Sequence, residues 1–91
     1  MTRTITFKDD TDPNGRRVAM LTLNDADIAV LEKLRHVQGE GSVSPRDIQA
    51  KSQIVSASQD DDVVHVVVQD KKHPARFTRS YAIPRKELFG W

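Results

Sequence analysis

Residues 24–38 carry the pattern of a capped amphipathic helix, and a helix there constrains everything around it. Asn24 supplies a capping side chain, Asp27 stands three positions on to close a capping box, and Leu23 is placed to staple onto Ile28. Asp25 and Asp27 also favour the positive end of the helix dipole. Ile28, Val30, Leu31, Leu34 and Val37 share roughly half the helical circumference, a wide apolar face of the kind buried on a sheet. Glu32 and His36 lie one turn apart on the other side, and Gly39 is expected at the C′ position that ends the helix.

The flanks read as strands. Residues 2–8 alternate, with Ile5 and Phe7 on one side and Thr4, Thr6 and Lys8 on the other. Asp12-Pro13-Asn14-Gly15 is turn chemistry, because proline presets φ at the first corner and Asn-Gly accepts the positive φ of a tight reversal. Arg17 to Leu23 returns as the second strand, with Ala19, Leu21 and Leu23 on one face. After the helix, Gly39-Glu40-Gly41 forms a joint and Ser44-Pro45-Arg46-Asp47 gives a second helix start, held only by Ile48 and Ala50. Residues 53–57 read as a strand. Val63 to Val68 is a firmer one, whose near-continuous valine implies a central strand covered on both faces. Lys71-Lys72-His73-Pro74 reverses the chain, Ala75 to Ile83 pairs back, and Pro84 stops the ladder. The expected fold is α+β: ββ-α-(short α)-βββ, one antiparallel sheet with the main helix (24–38) on one face. Residues 1–91 make a single domain whose tail, 84–91, docks Leu88 and Phe89 in one helical turn.

The chain has 91 residues and no cysteine, so its core stands without disulfides or is completed by oligomerisation. A cysteine-free chain with no signal-like apolar run at its start is expected in the cytoplasm, away from membranes. The formal net charge of +1 creates no overall field that names a polyanionic partner. The distribution is uneven, however. Lys71, Lys72, Arg76, Arg79, Arg85 and Lys86 outweigh Asp70 and Glu87 near the end of the chain, and Asp60-Asp61-Asp62 form an acidic knot upstream.

Chemistry finds little foothold. His36, His65 and His73 fall on a helix, a strand and a turn, with no H-x₃-H or C-x₂-C spacing to gather a metal. Asp60-Asp61-Asp62 lacks the alternating ligands, glycine bend and distant glutamate of a calcium loop, and reads as a solvated turn. Ser44 has no nucleophile motif around it. No catalytic residue, metal ligand, cofactor or small-molecule substrate is inferred. A helix-turn-helix over 24–51 is disfavoured because the residues after Lys51 are β-prone and then acidic where a recognition helix needs basic or amide side chains.

The expected function is therefore non-catalytic: a small interaction or regulatory protein that binds a protein partner, or a second copy of itself, through a sheet edge and the basic C-terminal hairpin. The contact candidates are Lys71, Lys72, Arg76, Phe77, Arg79, Tyr81, Arg85, Lys86 and Trp91, the last because tryptophan is favoured at binding hot spots. The alternative is a nucleic-acid-binding module. On the last strand Phe77, Arg79, Tyr81 and Ile83 share a face, and an arginine between aromatics suits base stacking with phosphate contact. That alternative fails if Phe77, Tyr81 and Ile83 are core and Arg79 snorkels from the sheet, the reading the scarcity of aromatics favours.

Overall fold

The computed structural model describes residues 2–8, 18–69 and 78–89. Strands β1 (Arg3–Lys8) and β2 (Val18–Leu23) pair antiparallel, followed by helix α1 (Asp25–Arg35) and the two-residue strand β3 (Gly41–Ser42). A single 3-10 turn, Pro45–Asp47, precedes β4 (Ile54–Asp60), β5 (Val63–Gln69), β6 (Thr78–Pro84) and the short helix α2 (Arg85–Leu88). The fold class is α+β, as the alternation of patterns implies. The proposed Asp12–Gly15 and Lys71–Pro74 turns lie outside the described residues, as do positions 75–77 of the last strand.

Several details differ from the sequence reading. Among the described residues the strands form two sheets instead of one: β1-β2 is separate from a four-stranded sheet of order β3-β4-β5-β6. The main helix spans 25–35, shorter than 24–38, and its C-cap is His36. Gly39 does adopt left-handed backbone, φ 76°, but in the loop beyond the helix end. The second helix start yields only the 3-10 turn, where the Ser44 side chain makes no capping hydrogen bond and only its carbonyl accepts, from Asp47 N–H.

The core lies between α1, the inner faces of both sheets and α2. Leu31 and Leu34 of α1, Val64 and Val66 of β5, Ile83 of β6 and Leu88 of α2 are all essentially inaccessible to water. The hairpin contributes Ile5, Phe7, Leu21 and Leu23 from one face, while Thr4, Thr6, Met20 and Thr22 look outward. The Phe7 ring meets Tyr81 edge to face, with centroids 5.8 Å apart, and so joins the two sheets.

Strand β5 is central in its ladder but is covered on one face only. Val64 and Val66 point into the core, whereas His65 is exposed and Val63 and Val67 are half-buried. The open face carries the aligned rows Ser58–His65–Ala82 and Ser56–Val67–Ser80. Strand β4 reaches this arrangement through a bulge. Its pairing steps from Ile54↔Val68 to Ser56↔Val67, leaving Val55 over. The extra residue lets Ile54 and Ala57, an odd number of positions apart, both face the core.

Candidate functional site

The polar side chains that converge most closely do so at the two ends of α1. At its start Asn24 and Asp27 form the capping box: the Asn24 side chain accepts from Asp27 N–H at 2.8 Å, and Asp27 Oδ2 accepts from Asn24 N–H at 3.0 Å. The same Asp27 carboxylate is buried and reaches across the fold. Its Oδ1 accepts from the Ser52 hydroxyl at 2.5 Å and from Gln53 N–H at 2.7 Å, and Ser52 Oγ in turn accepts from Ile54 N–H. Every lone-pair direction it uses faces a donor, which is what allows a carboxylate to sit out of water. Asn24 Nδ2 also donates to Lys51 O at 3.2 Å.

At the other end, buried Gln59 donates to the carbonyls of Val37 and Gly39 at 2.8 and 3.0 Å. The Arg85 guanidinium donates to Val37 O at 2.6 Å, to Gln59 Oε1 at 3.0 Å and to Arg35 O. It also lies 5.4 Å from the Phe89 ring centroid. A cation on the last carbonyls of a helix complements the negative end of its dipole. Both networks are satisfied internally: among the described residues no buried side-chain nitrogen or oxygen lacks a hydrogen-bond partner. They hold the helix in place, and none of their buried side-chain atoms is left over for a ligand.

The sequence-derived contact residues separate accordingly. Arg85 is drawn into the helix clamp, Tyr81 is half-buried against Phe7, and Ile83 is core, so the aromatic face of β6 turns inward at these positions. Arg79 and Lys86 are exposed. Lys71, Lys72, Arg76, Phe77 and Trp91 lie outside the described residues. His36 and His65 are exposed and far from forming a cluster: among the described residues no three His, Asp or Glu side chains gather as metal ligands. The aspartate run becomes a tight turn, with Asp61 in left-handed backbone at φ 50° and Asp62 O accepting from Arg85 N–H at 2.7 Å.

Strand edges are the other candidate surface. Unpaired edges invite another chain, and proteins blunt them by brevity, charge or proline. Strand β3 has only two residues; β6 carries Arg79 and ends at Pro84; β1 carries Arg3 and Lys8. Strand β2, Val18-Ala19-Met20-Leu21-Thr22-Leu23, has none of these guards and pairs with β1 alone among the described strands. Its outward side chains include Met20 and Val18, 68% and 57% exposed, the most exposed large apolar residues described. The sequence reading named sheet edges in general and missed this strand, although six consecutive uncharged residues in a chain that is 30% charged were there to be noticed.

The chain matches no protein-family model, no curated protein and no solved structure. Among the described residues, no helix is long and apolar enough to cross a membrane.

Proposed function

We propose that this protein is a non-catalytic interaction module that takes up a protein strand, from a partner or from a second copy, along the edge of β2. The observation that supports this reading is that β2 carries no charge or proline and, among the described residues, has no second neighbouring strand, against guards on every other described edge strand. Strand addition would draw affinity from main-chain hydrogen bonds and specificity from side chains such as Val18 and Met20. In the proposal, exposed Arg79 and Lys86 represent the basic C-terminal surface as an auxiliary contact that steers an acidic partner. A cysteine-free chain suits a reducing compartment, so the proposed location is the cytoplasm. The nucleic-acid alternative draws no support from the inward placement of Tyr81 or the engagement of Arg85.

The test compares affinity-tagged wild type with Met20→Lys in native lysate, followed by identification of the retained chains. Loss of a specific associated chain, including untagged copies of the protein itself, on Met20→Lys is the expected result. An identical retained set for both would remove β2 as the binding edge.

A further inference from the structure

We infer that α2 is a latch: with residues 85–89 docked, the β1–β2 hairpin belongs to the cooperative fold, and with them undocked the hairpin opens while α1 and the four-stranded sheet stay closed. This goes beyond the edge-binding reading and does not depend on it.

The first observation is how the hairpin is held. Among the described residues neither of its strands pairs with the larger sheet, so side-chain packing joins the two. Its more extensive contacts are with α1 on β2, and with β6 and α2 on β1. Helix α2 also packs against β5 and β6, so a single helical turn stands at the seam between hairpin and sheet. Leu88 is wholly buried there, in the same core cluster as Ile5 and Phe7 of β1 and Val64 and Ile83 of the larger sheet.

The second is how α2 itself is held. Its four residues fall far below the length of about 12–15 at which a helix persists alone. Its N-cap, Pro84, makes no side-chain capping bond. The turn therefore keeps its shape only by docking, and docking rests on two residues three positions apart, Arg85 and Leu88. Arg85 N–H donates to Asp62 O at 2.7 Å, in the turn between β4 and β5. Its guanidinium donates to Val37 O, Gln59 Oε1 and Arg35 O at the end of α1. The intervening Lys86 and Glu87 are exposed. Losing either anchor removes what shapes the turn, so the two let go together.

These placements divide the molecule unequally. Undocking withdraws a buried side chain from the seam beside β1, whereas the pairings within β3–β6 use no residue of α2 and survive. Openings of this kind follow supersecondary units. A ligand that held the segment undocked would shift the hairpin towards its open form through that linkage alone.

Residue-resolved amide hydrogen exchange on the full chain is the test. Leu88→Ala is expected to speed exchange in β1 and β2 at least roughly tenfold more than in β4 and β5. Arg85→Met, which acts through the other anchor, should give the same regional pattern, and Lys86→Ala should match wild type. Ile83→Ala is the comparison: it opens a cavity in the larger sheet itself, so hairpin and sheet should speed together. Leu88→Val, a smaller truncation, keeps the pattern readable if Leu88→Ala does not fold. Equal acceleration of the hairpin and of β4–β5 in the Leu88 variants would overturn the latch and leave Leu88 an ordinary core residue. Acceleration confined to α2 would overturn it as well, because the hairpin would then stay closed without the segment.

Discussion

Arg85 was grouped by sequence with the basic residues of a contact surface, and the structure gives its side chain a different task. Its donors close the carbonyl end of α1 and hold buried Gln59, so truncation takes a donor from Arg35 O and Gln59 Oε1 and leaves Val37 O to Gln59 alone. Arg85→Met, which keeps the stem and drops the donors, should cost about 2–3 kcal/mol in urea unfolding, the range for hydrogen bonds involving a charged group. Arg85→Lys should recover only part of that, since an ammonium cannot span carbonyls that a planar fork reaches together. A neutral Arg85→Met would mean that the clamp adds nothing to stability. Asp27 is the counterpart at the helix start. Its capping role was legible from the spacing of Asn24 and Asp27. Its bonds to Ser52 and Gln53 were not, because 25 or more residues separate these groups and no local pattern pairs them. Asp27→Asn replaces one acceptor oxygen with an amide that faces existing donors, and should lose roughly 1–3 kcal/mol. Ser52→Ala in that background should lose less than it does alone, the sign of a shared network in a double-mutant cycle.

At the scale of elements, legibility followed periodicity. The β1 alternation and the α1 cap were readable because each is a local pattern; β5 was readable as a strand, but its run of valine hid that one face is open. The extent of β4 was not, since its bulge at Val55 breaks the alternation that a half-buried strand should show. The split into two sheets was also hidden, because β1–β2 and β3–β6 carry similar patterns and only long-range pairing decides which strands join. The early end of α1 is explained by the chain that follows it. Val37 lies beyond the C-cap, and Gly41 opens β3 beside it; a β-carbon on Gly41 would stand 2.6 Å from Val37 Cγ1. Gly41 is therefore needed for close approach of helix end and sheet edge, where Gly39 is needed for its positive φ. Gly41→Ala should destabilise by about 1–3 kcal/mol through overpacking. Adding Val37→Ala should return part of that loss, and additive losses in thermal or urea unfolding would show that the two positions do not crowd each other.

Across the whole molecule, a two-stranded hairpin and a four-stranded sheet share one hydrophobic core, and among the described residues no strand of one pairs with a strand of the other. An isolated hairpin is marginal in water, so β1–β2 should persist only while its apolar face is buried against the rest. Phe7 and Tyr81 provide the direct aromatic contact across that junction. Phe7 is almost wholly buried and Tyr81 half-buried, so the two truncations should differ: Phe7→Ala should cost about 3–5 kcal/mol, and Tyr81→Ala less. The informative quantity is their coupling. A T-shaped pair contributes about 0.5–1.5 kcal/mol beyond the area it buries, so the double variant should be more stable than the summed single losses imply by that amount. Amide hydrogen exchange places the same argument in space. If the junction makes the sheets cooperative, Phe7→Leu should speed exchange in β5 and β6 as well as in the hairpin, because opening the hairpin then uncovers the common core. Faster exchange confined to β1 and β2, with no coupling to Tyr81, would instead describe a hairpin that opens independently. In that case its edge could not present a fixed register to an added strand.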